Sequence, residues 1–146
     1  MISEAPELTN FGSLIRFAVE LETATAAFYE QVAELVGPEG PRALSRELAA
    51  QHAARHRLLE RTRQQKLNEM VLEPVTDLDG TRYVYDASVP SRTHVVSKAV
   101  ALEGVAARFY EEASVVAKSL LTEATRILQR LAEENHRNEA RIRDSF

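Results

Sequence analysis

Two glutamates beside apolar stripes are the residues of this chain whose spacing most suggests chemistry. The segment ELETATAAFYEQ at residues 20–31 is echoed by ALEGVAARFYEE at residues 101–112, which places Glu22 and Glu103 at equivalent positions of an internal repeat. A polar residue beside the apolar stripe of a helix faces the packing partner of that helix. Two carboxylates in one interior would either bind metal or need buried cations and hydrogen-bond donors.

The composition excludes several other chemistries. The 146 residues suit a single domain, 1–146, and 18 basic against 22 acidic residues leave no strongly basic face for nucleic acid. Cysteine is absent, which excludes disulfides, zinc fingers and thiol chemistry. The N-terminus MISEAPELTN lacks the apolar segment of a signal peptide, and no run approaches the roughly 20 apolar residues of a membrane span. We therefore expect a cytoplasmic protein with no nucleic-acid or membrane partner.

Apolar residues at helical spacing predict two helices before the middle of the chain. The first runs from Phe11 to Val36 and ends at the GPEGP segment. The second continues to about Met70, and Pro41 suits its first turn. Residues 72–92 then form a long crossover.

The crossover contains DLDG and TRYVY, and we expect a small hairpin at Asp79-Gly80. A third helix to about Ser119 and a fourth helix follow it, with suitable capping residues at Ser91 or Thr93 and at Thr122. The predicted layout is a helical hairpin at 11–71, the crossover at 72–92 and a second hairpin at 93–144. Two hairpins joined by one long crossover predict an all-α fold, the ferritin-like four-helix bundle.

The two Leu-Glu pairs, each followed six and seven residues after the Glu by Phe-Tyr, resemble those of rubrerythrins and their ferritin-like relatives. The resemblance covers nearly the whole chain. It implies that the first and third helices each supply one Glu, that the second and fourth each supply Glu-x-x-His, and that the set holds two irons. Glu22 and Glu103 match the single-Glu positions.

The Glu-x-x-His positions are where this sequence departs from that pattern. In the family, these residues stand four and seven residues after a core leucine, which places both on the leucine face at 100° per residue. The leucines here are Leu48 and Leu131, and the four positions that follow them are held by His52, Arg55, Asn135 and Asn138. None of these is the residue that the family has at its place.

A true Glu-x-x-His does occur, at Glu133 and His136, but with the wrong phase. It follows Leu131 by two and five residues, or 200° and 140°, and is therefore predicted to face solvent. His56 stands 80° from the core leucine of its own helix, at a boundary position. These three residues are alternative metal ligands only if the helices are rotated or kinked.

Three hypotheses follow. The first is a degenerate di-iron site in which an arginine between the two carboxylates, with asparagine amides, replaces the metal, and the chain serves as a non-catalytic binding or structural module. The second is a protein that binds iron or another divalent metal through Glu22, His52 and Glu103, with oxidase, peroxidase or iron-handling activity as the resemblance implies. The third is a helical interaction module unrelated to iron. The sequence assigns no catalytic residue and leaves open whether the chain is an enzyme.

A homodimer is the predicted assembly. Isolated bundles of this type leave an apolar flank, and the crossover offers Tyr83, Val84 and Tyr85 as contact residues. The two tyrosines of the Phe-Tyr pairs, by contrast, are predicted to pack in the core with tethered hydroxyls.

Overall fold

The computed structural model describes residues 2–37, 39–70, 74–117 and 122–146, without the side chains of 39, 65–70, 122 and 123. It confirms the predicted four-helix bundle. The helices are α1 (Phe11–Leu35), α2 (Glu39–Met70), α3 (Val95–Ala117) and α4 (Thr122–Ser145), with short 3-10 helices at Gly80–Tyr83 and Arg92–His94. The predicted Thr122 cap, the end of the third helix near Ser119 and the junction at 71–72 lie outside the described residues and side chains.

The helices pack as two hairpins. α1 packs along α2 and α3 along α4, and contacts of α1 with α3 and of α2 with α4 join the two hairpins. The start of α1 is fixed by a capping box, in which Asn10 Oδ1 accepts from the Ser13 amide at 2.8 Å and Ser13 Oγ accepts from the Asn10 amide at 3.1 Å. Pro41 lies in the first turn of α2, where its missing N–H costs no helical hydrogen bond. No described helix is long and apolar enough to cross a membrane.

The predicted hairpin at Asp79-Gly80 is wrong. Asp79 instead caps the 3-10 helix, because its Oδ1 accepts from the amide of Thr81 at 3.0 Å. The N-terminal segment lies across this turn, and a Cβ on Gly80 would stand 1.9 Å from the carbonyl oxygen of Pro6. Glycine is therefore required here by the close approach of two backbones.

The predicted caps of the third helix also differ from the structure. Ser91 precedes the 3-10 helix rather than α3, and its hydroxyl meets His94 Nδ1 at 3.0 Å without capping a backbone amide. Thr93 lies inside the 3-10 helix, and α3 begins at Val95. A tight 3-10 turn thus takes the place of a side-chain cap.

The buried apolar residues that the structure describes form two clusters, one toward each end of the bundle. Along α1, the first cluster extends to Leu21 and the second begins at Phe28. Along α2, Leu48 belongs to the second cluster and Leu59 to the first. The residues between these positions on each helix form a middle layer, and the buried charged side chains lie there.

Tyr83 does not provide the apolar flank that was predicted for assembly. It is 1 % exposed and its ring packs against Phe17 and Phe109 at 6.3 and 5.3 Å between centroids. Val84 and Tyr85 are half-buried. The crossover closes over the core because its aromatic residues find partners within their own chain.

Candidate functional site

All four helices contribute side chains to the polar middle layer. The six residues that helical phase placed there are buried: Glu22 from α1, His52 and Arg55 from α2, Glu103 from α3, and Asn135 and Asn138 from α4. Arg55 is the most exposed of them, at 3 %. We call this set the polar core.

His52 connects the two carboxylates. Its Nδ1 lies 2.5 Å from Glu22 Oε2 and its Nε2 lies 2.9 Å from Glu103 Oε2. Both ring nitrogens are donors only in the protonated imidazolium. Arg55 lies within hydrogen-bonding distance of Glu22, as predicted, but it does not stand between the two carboxylates. That position is taken by His52, one turn earlier on α2.

Arg55 binds one carboxylate and extends to α4. Its Nη1 donates to Glu22 Oε1 at 3.3 Å and to Asn135 Oδ1 at 3.0 Å. Its Nη2 donates to the Leu131 carbonyl and to Glu134 Oε1, both at 3.1 Å. Its Nε is buried and has no partner among the described residues. The guanidinium thus ties α1 to α4 across the bundle.

Glu103 is held by two asparagine amides as well as by His52. Asn135 Nδ2 donates to Glu103 Oε1 at 3.1 Å, and Asn138 Nδ2 donates to the same oxygen at 2.6 Å. Asn138 Nδ2 also donates to Gln51 Oε1 at 2.6 Å. The amides supply donors to a carboxylate that Arg55 does not contact.

The two repeat tyrosines bind the carboxylates crosswise. Tyr29 of α1 donates to Glu103 Oε2 on α3 at 3.1 Å, and Tyr110 of α3 donates to Glu22 Oε1 on α1 at 2.6 Å. Each tyrosine follows the glutamate of its own helix by seven residues, so the internal repeat generates the exchange. The prediction of core tyrosines with tethered hydroxyls is confirmed.

Replacing either tyrosine by phenylalanine is expected to lower the free energy of unfolding by about 2 kcal/mol, because a buried carboxylate then loses a donor. Tyr29→Phe and Tyr110→Phe should have similar effects, since their environments are related by the repeat. Tyr85→Phe is the matched control, because no described residue accepts a hydrogen bond from that half-buried tyrosine. Urea denaturation of the three variants checks this, and equal stabilities for all three would contradict it.

The electrostatics keep the polar core charged. Burial lowers the pKa of His52, but the carboxylates of Glu103 and Glu22 outweigh it and raise the pKa to about 9. Burial raises the pKa of each carboxyl group, and the positive charge of His52, with further donors and Arg55, brings the net shift below the usual value. Two anions and two cations therefore face one another in a layer that water does not reach.

Sequence reasoning missed two members of the network, Gln51 and Glu134. Each stands three residues after a core leucine, at a helix boundary 60° from it. An offset of 83 residues relates Gln51 to Glu134 and Arg55 to Asn138. In the structure Arg55 of α2 donates to Glu134 of α4, and Asn138 of α4 donates to Gln51 of α2. These two hydrogen bonds between α2 and α4 are related by the internal repeat, as are the two tyrosine hydrogen bonds between α1 and α3. A comparison of the boundary positions of α2 and α4 in the repeat alignment would have identified Gln51 and Glu134.

The alternative metal ligands lie outside the polar core. His56 is half-buried and its Nδ1 meets Thr23 Oγ1 at 2.8 Å on the outer side of α1 and α2. Glu133 is exposed, and His136 is exposed and paired with Glu111 on the outer side of α3 and α4. In the described part of the chain, no group of three or more His, Cys, Asp or Glu side chains is arranged to hold a metal ion.

The hydrogen-bonding groups of the polar core are directed at one another rather than at a common metal position. A metal-binding imidazole offers a lone pair on one ring nitrogen, whereas both nitrogens of His52 face carboxylate oxygens. Arg55 has no lone pair to offer, and the amide nitrogens of Asn135 and Asn138 donate to Glu103. This arrangement can fix four helices and hold buried charge.

Comparisons with known proteins identify the fold. No protein-family model matches the chain, and a comparison with curated proteins finds no significant match. A dodecameric thioferritin, the bacterioferritin-related protein from Bacteroides fragilis, superimposes with a TM-score of 0.71 at 16% identity, covering 90% of this chain and 81% of that one. A hypothetical protein from Pyrococcus furiosus gives a TM-score of 0.66 at 20% identity, covering 90% of this chain and 84% of that one. The chain is a ferritin-like four-helix bundle.

Proposed function

We propose that this chain is a rubrerythrin-related bundle whose di-iron site is degenerate, and that it serves as a non-catalytic binding or structural module. The observation that carries the proposal is the position of His52, whose two ring nitrogens face Glu22 and Glu103. The imidazolium lies between the two carboxylates that the family resemblance assigns to metal. It supplies the positive charge that those carboxylates need when they are buried.

Arg55 supports the proposal independently. Divalent ions bound by Glu22 would stand beside a guanidinium that is permanently charged, and like charges repel strongly in a layer of low dielectric. The guanidinium and the imidazolium together balance the two glutamates. The proposed role of the polar core is therefore to fix the packing of the four helices around a neutral set of charges.

Metal analysis tests this proposal. Protein purified without chelator is expected to contain well under one iron, manganese or zinc ion per chain. Stoichiometric iron bound through Glu22 and Glu103 would overturn the proposal and favour the alternative, a metal-binding protein with oxidase, peroxidase or iron-handling activity.

A restored-ligand variant provides the matched comparison. His52→Glu, Arg55→His, Asn135→Glu and Asn138→His together rebuild the Glu-x-x-His pattern of the family on α2 and α4. This variant is expected to gain about two ferrous ions per chain, the occupancy of a di-iron carboxylate bundle. If it takes up no more iron than the wild type, these positions are not former ligand positions and the degenerate-site proposal fails.

We also propose that the chain associates with itself, most simply as a homodimer. The structural neighbour from Bacteroides fragilis is dodecameric, which supports self-association in a bundle of this fold. Sedimentation velocity at micromolar concentration tests it. A single species at 16.3 kDa, the mass of one chain, would overturn it.

A further inference from the structure

The outer seam between α2 and α4 is a surface that the proposed function does not use. Three contacts fix how these antiparallel helices lie side by side: Arg55 with Glu134, Gln51 with Asn138, and Glu47 with Arg141. The contacts advance along α2 as they go back along α4, by about one turn each time. The level of any other residue on the seam follows from its offset to these pairs.

Four exposed arginines lie along the outer edges of this seam, and we call them the arginine face: Arg61 on α2, and Arg126, Arg130 and Arg137 on α4. At 100° per residue, each lies within about 60° of Glu47 or Arg141, the pair that joins the two helices at the surface. None of the four has an ion-pair partner among the side chains that the structure describes.

Three of these arginines lie at one level of the bundle. Arg61 follows Arg55 by six residues, and six residues before Glu134 on α4 is Leu128. Arg61 therefore lies level with the stretch between Arg126 and Arg130. The fourth, Arg137, lies about 10 Å farther along α4. The arginine face thus spans about three helical turns.

The carboxylates of the seam are already occupied. Glu134 accepts from Arg55, which reaches it from the polar core, and Glu47 pairs with Arg141. These two acidic side chains are therefore not available to neutralise the arginine face. A local excess of positive charge stands on a chain whose net charge is -4.

Two half-buried apolar side chains lie between the arginines, Leu58 on α2 and Ile127 on α4. Both occur within about one turn of the level of Arg61. An apolar centre with arginines around it has the composition of a protein-binding surface, because arginine and desolvated apolar groups contribute most to such contacts. Grooves between packed helices receive amphipathic helices through apolar residues spaced three or four apart.

We propose that the arginine face binds an acidic amphipathic helix of a partner protein. The apolar stripe of that helix lies on Leu58 and Ile127, and carboxylates on its two flanks pair with Arg61 on one side and with Arg130 on the other. About three turns of partner helix cover the four arginines. This assignment goes beyond the proposed function, since it concerns a different surface from the polar core and stands whether or not the core binds metal.

Two other occupants fit the charges less well. A two-fold contact of this face with the same face of a second copy would bring arginines against arginines, and like charges repel. A nucleic acid is a long polyanion that would also meet the surrounding surface of a chain with net charge -4. A short acidic helix contacts only the basic patch.

A designed peptide tests the inference. The probe is a fluorescently labelled peptide of two heptads Leu-Ala-Gln-Leu-Glu-Gln-Glu, which places glutamates on both flanks of a leucine stripe. Fluorescence anisotropy at physiological salt is expected to show saturable binding to the wild type in the micromolar range. The same peptide with lysine for glutamate, or with serine for leucine, should bind at least about tenfold more weakly. Absence of saturable binding of the acidic peptide up to about 1 mM would overturn the inference.

Charge reversals locate the binding surface. Arg61→Glu with Arg130→Glu is expected to raise the dissociation constant at least about 30-fold, because like charges then oppose one another. Arg16→Glu with Arg143→Glu is the matched control, since it changes the net charge equally at exposed sites away from the seam. The control should bind the peptide within about twofold of the wild type. Circular dichroism verifies that both variants keep their helices.

The remaining outcomes contradict the inference. Equal weakening by the two reversals would show that net charge alone attracts the peptide. Equal affinity for the leucine and serine peptides would show a general anion patch without an apolar contact. If a duplex oligonucleotide or a vesicle of anionic phospholipid binds more tightly than the peptide and responds to the same reversal, the occupant is not an acidic helix.

A cysteine cross-link gives a second readout, because the chain has no cysteine of its own. Ala54 is exposed on α2, one turn before Leu58. Ala54→Cys is therefore expected to form a mixed disulfide with the acidic peptide when one of its alanines is replaced by cysteine. Ala101→Cys, an exposed site on α3, is the control and should react far more slowly. Equal rates at the two sites would overturn the proposed location.

Discussion

Replacing Arg55 by alanine is expected to lower the free energy of unfolding by roughly 3–5 kcal/mol, the cost of removing one partner from a buried ion pair. The guanidinium donates to Glu22, Asn135, Glu134 and the backbone of α4. Without it, Glu22 keeps its buried negative charge with one cation fewer. The Leu131 carbonyl also loses its side-chain donor.

A second substitution identifies the cause of this loss. Glu22→Gln in the Arg55→Ala background should recover much of the stability, because it removes the uncompensated charge. Glu103→Gln in the same background should recover less, since Arg55 makes no hydrogen bond to that carboxylate. Arg61→Ala, an exposed site on α2, is the control and should change stability by less than about 0.5 kcal/mol. Urea denaturation measures all four, and an Arg55→Ala variant as stable as wild type would contradict the buried-pair interpretation.

Raising the pH is expected to destabilise the fold by about 3 kcal/mol through His52 alone. The pKa of this imidazole rises from 6.5 to about 9 on folding. A group whose pKa is higher in the folded state gives its full stabilisation below the unfolded value and loses it as the pH rises through the folded value. The loss should therefore begin near pH 6.5 and be complete somewhat above pH 9.

At acidic pH, the free energy of unfolding depends on pH in the opposite direction. The pKa values of Glu22 and Glu103 are lowered by folding, so their contribution is present above about pH 4.5 and lost as the pH falls. Stability should therefore be greatest between about pH 5 and 6.5.

His52→Gln isolates the alkaline effect. This variant should be less stable than wild type at pH 6, and its stability should no longer fall between pH 6.5 and 9. Denaturation midpoints measured across this range check the prediction. An unchanged slope in His52→Gln would show that another group causes the alkaline loss.

The sequence by itself determined the four helices and the composition of the polar core. Apolar periodicity places the helices, and the internal repeat places Glu22 and Glu103 at equivalent positions. Helical phase alone then directs His52 and Arg55 inward, because a rotation of 100° per residue fixes which side chains share a face with a core leucine. These inferences are local, since they depend only on spacing within one helix.

Only the tertiary structure decided which core residues bind one another. The helical phase of a residue does not specify how far α2 is shifted along its axis relative to α1 and α3. That shift allows His52 rather than Arg55 to reach both carboxylates. The same limit applies to the crossover, where Tyr83 is buried because its ring meets Phe17 and Phe109 from distant helices. Contacts between elements depend on their relative translation and on loop paths, and periodicity within an element does not encode either of them.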